Sequence, residues 1–389
     1  MGAREVFEVL YSPIKAFKKI TEKPDFKGVL LVLILFMSFT VIGQYVFYSK
    51  VFLLTEIPDD DDWTESPALW NSNGLLSLDD VDYKAENNSV KSFVHNGTNI
   101  WMKIRDIGPF NCSEDKGYKQ LFFWINWAHE NVLPSSDAAL RLFSDDESSY
   151  FELDLAGSIS NSSAEWSNAT LKVGPENQDW TAINSPDWKS VNGLEFRLVW
   201  LASANLTLKI DDLHFQKHTS FLEKNAFTAG VVIQILMSAA VSFSMNWILW
   251  SIILFMMTKV FREEVGPWTV LFVIIGHAFI ATVVYTIASA ALVSTLSPLN
   301  LPLKTLPPTT EAEANAVNAL VEETWSPNWT YWGYLLLSGL YFPFVRELWI
   351  MALSAIAVRL LLKITWGKAV GISIITLIIR SILLLFFGI

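Results

Sequence analysis

This sequence is poor in cysteine and lacks the local motifs of several common enzyme classes, and each shortage excludes a kind of protein. Cys112 is the only cysteine in 389 residues, so no disulfide can form within the chain. No H-E-x-x-H pair, glycine-rich phosphate loop or G-x-S-x-G elbow is present. These absences argue against zinc proteases, P-loop enzymes and serine hydrolases. A surface glycoside hydrolase remains an alternative, because it needs only two carboxylates.

Charge is missing from several long apolar runs. Residues 28–48 hold no formal charge and, as a helix, would extend about 30 Å, which is the thickness of a bilayer's hydrocarbon core. A cleaved signal peptide is the rival interpretation, but the run is longer than a typical signal core and no A-x-A-like site follows. We therefore predict a first membrane span over residues 28–49.

The second apolar run, residues 226–258, is also free of charge. As a helix it would be about 50 Å long, so it must tilt, project or break. Further spans are predicted at 268–296, 329–362 and 369–389, and a polar outer loop at 297–328 includes an acidic stretch that predicts a short helix at 311–323. The fold class is therefore multi-domain, with a five-helix transmembrane bundle spread over residues 28–49 and 226–389.

The flanks of the first span predict its orientation. Six basic residues precede it and an acidic run at 59–62 follows it. Because positive flanks stay on the cytoplasmic side, we expect the N-terminus inside and both the large domain and the C-terminus outside. Residues 1–27 alternate apolar and basic positions, which fits short amphipathic helices on the inner membrane surface or a simple positive flank.

Residues 50–225 form a polar block with 28 acidic and 14 basic residues. A net charge of −14 disfavours nucleic acid as a partner. Strict alternation of apolar and polar residues predicts strands. The clearest examples are 100–104, 151–155 and 206–210. Short strands separated by turns predict an extracellular antiparallel β-sandwich inserted between the first two spans.

The last strand changes parity. Leu208 and Ile210 share one face, but Leu213 and Phe215 have the opposite parity, which predicts a β-bulge at Asp211 and Asp212. A bulge there would turn these carboxylates toward three others near the start of the domain, at Asp79, Asp80 and Asp82. Calcium prefers such oxygen ligands, so we predict a structural calcium site, with solvated acidic turns as the alternative.

Tryptophan is abundant in this block, and exposed rings could stack on sugars. The preferred candidates are Trp124, on a strand that is apolar on both faces, and Trp180 and Trp188, which lie beside turns. A core position is the alternative for each.

Four ionisable residues fall within predicted spans: His277, Arg346, Glu347 and Arg380. Such residues are costly in a membrane and by default suggest function. A structural ion pair between Glu347 and Arg380 is the favoured interpretation, and a transporter using these charges is the alternative. If the fourth span begins at Pro343, then Arg346 and Glu347 lie toward the outer membrane interface, where charged residues need no functional explanation.

N-x-S/T sequons all lie in segments predicted to be outside. They begin at Asn87, Asn96, Asn111, Asn161, Asn168, Asn205 and Asn328. Together with the lack of disulfides they fit a surface protein of a prokaryote that N-glycosylates, an archaeon above others.

The membrane portion resembles the Yip family of multipass proteins. The resemblance rests on the opening at residues 11–20 (YSPIKAFKKI), on five spans in this orientation and on residues 349–368. It implies a membrane-organising or trafficking-related role without established catalytic residues. A domain of 176 residues is inserted where family members usually have a short loop.

The inserted domain resembles jelly-roll carbohydrate-binding modules. The resemblance rests on residues 140–146, 150–155, Trp166, the turn at 185–188 and the closing strand at 208–213. It implies sugar binding and an aspartate on the last strand that helps to hold calcium. We therefore expect a non-catalytic cell-surface protein whose partners are the bilayer, a glycan or surface protein, and other membrane proteins or a second copy of the chain.

Overall fold

A computed structural model describes residues 3–113, 117–130, 135–159, 162–224, 227–261, 267–306, 308–325 and 342–387. The chain divides into two compact units. The helical unit comprises Met1–Phe52, Ser220–Leu299 and Pro308–Ile389, and the sheet unit comprises Leu53–Thr219 and Asn300–Pro307. The sheet unit thus falls close to the predicted boundaries of 50–225 and takes eight further residues from the predicted outer loop.

The helical unit begins with two short amphipathic helices, α1 (Ala3–Tyr11) and α2 (Pro13–Glu22). Their apolar faces are buried in the core of this unit, and Val9 and Phe17 are fully covered. The buried carboxylate of Glu8 accepts a hydrogen bond of 2.6 Å from Lys19 Nζ. The predicted short helices are therefore present in residues 3–22.

Further helices follow in this unit. They are α3 (Phe26–Tyr48), α4 (Phe221–Lys224), α5 (Ala229–Val260), α6 (Trp268–Ala278), α7 (Ile280–Ser294), α8 (Glu311–Trp325), α9 (Phe342–Leu362) and α10 (Trp366–Phe387). The second apolar run forms a single unbroken helix, α5, of 32 residues. The acidic stretch of the predicted outer loop forms α8, as expected.

Four stretches of the described residues are long and apolar enough to cross a membrane: Phe26–Tyr48, Ala229–Val260, Trp268–Ser294 and Trp366–Leu383. Helix α9 is more polar, because it contains Arg346, Glu347 and Arg359. Residues 326–341, which were predicted to begin the same span, lie outside the described residues. The count of five spans therefore stays a prediction.

The strand pairings between residues 70 and 220 of the sheet unit are antiparallel. Its strands are β1 (Val51–Ile57), β2 (Trp70–Ser72), β3 (Leu75–Asp79), β4 (Ser89–Phe110), β5 (Gln120–His129), β6 (Asp137–Ser144), β7 (Asp146–Asp154), β8 (Trp166–Lys172), β9 (Thr181–Ile183), β10 (Val191–Ser220) and β11 (Leu299–Leu301). The predicted strands at 100–104 and 206–210 lie within β4 and β10, and most of 151–155 lies in β7.

Strands β4 and β10 are long enough to belong to two layers. The first half of β10 pairs with β6 on one side and the second half of β4 on the other. The second half of β10 pairs with β5 and the first half of β4. Rings from the two layers meet edge to face in the core, where the Phe123 and Phe196 ring centres lie 4.8 Å apart. The sheet therefore folds into a sandwich around one apolar core.

The expected bulge is present in β10. Pairing with β5 is regular up to Asp211, shifts register, and resumes at His214. Asp212 has φ of 51°, a left-handed conformation that aspartate tolerates better than most residues. The extra residue lets both Ile210 and Leu213 point into the core, where both are fully buried.

Candidate functional site

One outer surface of the sandwich carries an ordered row of charges. The row runs across four neighbouring strands at matched positions: Lys103 on β4, Glu195 on β10, Arg141 on β6 and Glu152 on β7. The residues before and after each of them point into the core, because side chains alternate along a strand. We call the outer surface formed by this row and the neighbouring outward residues of the same strands the ladder face.

Ion pairs hold the long side chains of the ladder face in place. Arg141 Nε donates to Glu152 Oε2 at 2.7 Å and its Nη1 donates to Glu195 Oε1 at 3.3 Å. Lys103 Nζ and Arg105 Nη1 both donate to Glu147, at 2.7 and 3.1 Å. Burial raises the pKa of Glu195 above its usual range, although Arg141 opposes this. The row is thus a fixed array of donors and acceptors.

Two aromatic rings flank the row on opposite sides. Trp101 lies two positions before Lys103, and Tyr150 lies two positions before Glu152 on the antiparallel strand three strands away. Both rings are half-buried. From strand geometry they are separated by roughly 14 Å across the strands and 13 Å along them. The Arg141 guanidinium lies 4.8 Å from the Tyr150 ring centre.

The ion-paired charges of the ladder face are balanced. Three basic side chains, Lys103, Arg105 and Arg141, pair with three acidic ones, Glu147, Glu152 and Glu195. The other charged residues that these strands direct outward add no positive excess, namely Arg197 against Asp137, Asp146 and Asp154. Hydrogen-bonding capacity is nevertheless left over, because Arg105 Nε and the neighbouring Asn192 Oδ1 are buried without a partner among the described residues.

A pair of buried carboxylates lies at the bulge of β10. Asp211 is fully buried and Asp61 is 6% exposed. Asp211 Oδ2 accepts hydrogen bonds from the backbone N–H groups of Lys84 and Ala85, the latter at 3.1 Å. The Thr64 hydroxyl donates to Asp61, and the Asp212 N–H reaches both carboxylates at 3.1 and 2.9 Å. Burial raises the pKa of Asp61 to about 8, and the adjacent Asp211 carboxyl adds to the effect.

Next to this pair is a second network that is internally neutral. His214 Nε2 lies 3.0 Å from Glu56 Oε1 and its Nδ1 lies 3.4 Å from Asp212 Oδ1. Glu56 also pairs with Lys304 at 2.7 Å. Burial lowers the pKa of His214, but Asp212 and Glu56 outweigh it and raise the value to about 9. Two cations, His214 and Lys304, balance two carboxylates, Glu56 and Asp212. This network therefore has no cation left to neutralise the Asp61 and Asp211 pair.

The predicted calcium ligands are not gathered at one point. Lys209 Nζ lies between Asp79 and Asp82, 2.9 and 2.6 Å from their carboxylates, and already supplies a cation there. Asp80 is exposed. The described residues contain no group of three or more His, Cys, Asp or Glu side chains placed to hold a metal. The structure thus corrects the predicted partners of Asp211: the carboxylate beside it is Asp61.

Two of the three predicted sugar platforms lie in the core. Trp180 and Trp188 are 8% and 9% exposed, and the Trp188 ring stacks on Phe151 at 3.7 Å. Their prediction as platforms is wrong, since neither presents a free ring face. Trp124 is half-buried on the outer surface of the other layer, with Lys84 Nζ 5.6 Å from its ring centre. Its role as a platform stays a prediction.

The predicted intramembrane charges separate into two places. Glu347 Oε2 accepts a hydrogen bond of 2.7 Å from Arg380 Nη1, which is the predicted pair. Helix α9 begins at Phe342, close to the start that the interfacial alternative supposes, and Glu347 is buried within the protein. The depth of Arg346 and Glu347 in a membrane therefore stays a prediction. His277 is buried on α6, where its Nδ1 lies 2.8 Å from the Val273 carbonyl oxygen.

The sequons differ in accessibility. Asn87, Asn96 and Asn168 are exposed, and Asn111 and Asn205 are half-buried. Asn161 and Asn328 lie outside the described residues. Glycosylation at these positions stays a prediction.

Several functional candidates were missed from sequence. Asp61 lies in a run of four aspartates, and nothing local distinguishes it from its neighbours. The ladder face carried a usable signal, because charged residues alternate with apolar ones at 103 and 105, at 195 and 197 and at 139–142. Such a pattern identifies the outward face of a strand, but it does not tell which strands are adjacent.

No family model matches this chain, and no curated protein matches it either. The Yip resemblance therefore stays a prediction. Among solved structures, an exo-β-agarase matches 41% of this chain at 13% identity with a TM-score of 0.31, and the match covers 24% of the agarase. The family 11 carbohydrate-binding module of the cellulase Lic26A-Cel5E of Clostridium thermocellum matches 40% of this chain at 11% identity with a TM-score of 0.28. That match covers 91% of the module. Likenesses of this size say nothing about what this chain binds.

Proposed function

We propose that the sandwich binds a glycan on the ladder face. The observation that carries the proposal is the row of fixed donors and acceptors flanked by two half-buried aromatic rings. Sugars offer apolar C–H faces that stack on rings and hydroxyl groups that exchange hydrogen bonds with charged side chains. The separation of Trp101 and Tyr150 suits a chain of several sugar rings better than a single one.

The charge of the ladder face favours a neutral glycan over an acidic one. The ion-paired network is neutral and the remaining outward residues add no positive excess, so no field attracts a polyanion. Hydroxyl groups, which both donate and accept, match the alternating donors and acceptors of the row. The ligand class we propose is therefore a neutral oligosaccharide or polysaccharide.

The test is binding of the full-length chain in detergent micelles to arrays of neutral and acidic glycans. Trp101→Ala and Tyr150→Ala should each weaken binding to a neutral glycan about tenfold, because each removes a stacking ring. Trp124→Ala is the matched control on the other layer and should have no effect. Loss of binding in Trp124→Ala alone would move the site away from the ladder face, and binding to acidic glycans only would refute the proposed ligand class.

Our proposal is for binding without catalysis. It rests on the ion pairs of the ladder face, which engage Glu152 and Glu195 with the same arginine. Neutral glycans incubated with the chain should be recovered at their original length by mass spectrometry. Shortened products that disappear in Glu152→Gln or Glu195→Gln would favour the hydrolase alternative instead.

We also propose that the Asp61 and Asp211 pair holds the structural calcium. The donor set contains only oxygen atoms, two carboxylates and the Thr64 hydroxyl, which is the type of ligand calcium prefers. Two adjacent buried carboxylates without a basic partner need either a proton or a bound cation. Calcium would supply that charge, and its binding to the folded state alone would stabilise the sandwich.

Finally, we propose that the helical unit anchors the chain in a cell membrane with residues 3–22 on the cytoplasmic side. The four long apolar helices and the basic N-terminal flank support this arrangement. In a Cys112→Ser background, single cysteines at the exposed Lys18 and Asp80 should react from opposite sides of the membrane. Labelling of Lys18→Cys from outside would show that the chain has the opposite orientation in the membrane.

A further inference from the structure

A polar stripe runs along helix α5. Gln234, Ser238, Ser242 and Asn246 recur every four residues, so they lie on one side of the helix. An apolar row at 233, 237, 241 and 245 runs beside them and is exposed along its whole length. The two rows together line a cavity of about 760 Å³ that also includes Arg346 and Arg380. We call this cavity the α5 groove.

The charged end of the α5 groove is not neutral. Arg346 Nη2 and Arg380 Nη1 both donate to Glu347, each at 2.7 Å. Arg380 Nη2 donates to Asn246 Oδ1. Glu347 is the only acidic residue in the long helices α3, α5, α6, α7, α9 and α10. Residues 326–341, outside the described part, contain no acidic side chain either. One positive charge is therefore left over.

Arg380 also has an unused hydrogen-bond donor. Its side chain is 5% exposed, and its Nε has no partner among the described residues. A buried guanidinium N–H without an acceptor is costly, and more so where the local dielectric constant is low. A bound anion would neutralise the excess positive charge and accept a hydrogen bond from the unpartnered donor.

The depth of this cluster follows from helix length. Each of the three helices has a basic residue at one end, namely Lys259 on α5, Arg359 on α9 and Lys368 on α10. Asn246, Arg346 and Arg380 lie 13, 13 and 12 residues from them, so all three are about 18 to 20 Å along their helices. In a hydrocarbon core of about 30 Å the charges lie roughly 10 Å inside the opposite boundary. An unbalanced charge at that depth requires a counter-ion.

We propose that the α5 groove binds an anionic lipid, with its phosphate against Arg346 and Arg380 and its acyl chains on the apolar row. The polar stripe extends about 18 Å from Asn246 to Gln234 and gives the headgroup a hydrophilic path along the helix. A lipid fits better than a free anion because one wall of the groove is apolar. Met237 and Val241 on that wall are 65% and 57% exposed.

The test uses the full-length chain in phosphatidylcholine nanodiscs that contain spin-labelled phosphatidylglycerol or spin-labelled phosphatidylcholine. The immobilised fraction of each label gives a relative association constant. The wild type should prefer phosphatidylglycerol by roughly tenfold, as expected for a charge-assisted contact. Arg346→Gln leaves the Arg380 and Glu347 pair intact but removes the net charge, so the preference should fall to about one. Arg346→Lys should keep it.

Two further variants separate the groove from general effects. Arg359→Gln removes the same charge from the same helix, but its guanidinium lies 4.1 Å over Trp366 at the other end, so the preference should persist. Ser242→Leu fills the groove without changing charge and should lower the preference, even if Arg346→Gln does not fold. Equal losses in Arg346→Gln and Arg359→Gln would overturn the proposal. If millimolar glycerol phosphate displaces the labelled lipid, then the ligand of the groove is a free anion and not a lipid.

Discussion

The ladder face of the sandwich and the charged end of the α5 groove are both built from arginine and glutamate, but they differ in balance. On the ladder face Arg141 contacts two glutamates, whereas in the helical unit Glu347 contacts two arginines. The ion-paired network of the ladder face has equal numbers of both charges, and the groove has one cation in excess. In water a balanced array costs little and leaves hydrogen bonds to offer, but in an apolar bundle an excess charge must be matched. The same residue types therefore point to a neutral ligand in one place and an anionic one in the other.

The largest change in stability in either region should come from removing the buried arginine, Arg380. Arg380→Gln leaves Glu347 with the half-buried Arg346 alone and breaks the bond to Asn246, so we expect the helical unit to lose about 3 kcal/mol. Arg346→Gln keeps the buried pair and should cost less than about 1 kcal/mol.

The measurement is the accessibility of one buried thiol in the helical unit. In a Cys112→Ser background, Ala357→Cys places it at a fully buried position on α9, and denaturant then exposes it to a thiol-reactive dye. Equal losses in Arg346→Gln and Arg380→Gln would mean that burial does not distinguish the two arginines.

A second effect concerns the buried Asp61 and Asp211 carboxylates, which lie side by side in the sandwich. Asp61 has a folded pKa of about 8, above its ordinary value, so the folded state holds a proton that the unfolded state releases. Without calcium, the stability it contributes is present at low pH and is lost as pH rises toward 8, by up to about 1.4 kcal/mol per pH unit. Calcium should restore stability at pH 8, and Asp61→Asn should remove both effects.

Cys112 makes this measurable in the intact chain. It is the one cysteine, it is fully buried in the sandwich core, and burial raises the pKa of its thiol to about 12. Reaction with a dye on heating therefore reports unfolding of the sandwich and not of the helices. Because the stability contributed by His214 is also lost, as pH rises from about 6.5 toward 9, the effect of Asp61 is taken as the difference between the wild type and Asp61→Asn at each pH, in which the His214 contribution cancels. A chelator without effect at pH 8 would exclude calcium.

The sandwich and the helical unit also differ in what the sequence alone could predict. The bulge was predictable because parity along β10 is a local property, and so were the strands that alternate around Met102 and Leu208. The partner of Asp211 was not, since Asp61 comes from 150 residues earlier and only the fold brings them together. The buried positions of Trp180 and Trp188 depend likewise on distant strands. The stripe on α5 had a local signal, its four-residue spacing. Its residues are uncharged, however, and so they indicate a site less strongly than the charges of Glu347 and Arg380 do.

A third effect tests whether Lys209 takes the place of a metal. Its ammonium group joins Asp79 and Asp82 and its side chain is 13% exposed, so Lys209→Gln should lower the free energy of unfolding of the sandwich by about 1 to 2 kcal/mol. Lys91 also contacts Asp79, at 3.4 Å, but is 34% exposed, so Lys91→Gln is the matched control and should cost less than about 0.5 kcal/mol. If Lys209→Gln becomes more stable in calcium, the two aspartates form a cation site that lysine fills. If calcium has no effect, they act only as partners of the lysine.

The smallest effect on stability should come from the ladder face itself. Glu147 is 46% exposed and bridges Lys103 and Arg105, so Glu147→Gln should change the free energy of unfolding by less than about 1 kcal/mol. The pKa of Glu147 itself is lowered mainly by the hydrogen bond from Lys103. Binding should respond more strongly, because releasing Lys103 and Arg105 upsets both the charge balance and the fixed positions of the donors. We expect weaker binding of neutral glycans and new, salt-sensitive binding of acidic ones, measured on the same array. If Glu147→Gln binds acidic glycans no better than the wild type, then charge balance does not set the ligand class, and the contrast with the α5 groove reduces to burial alone.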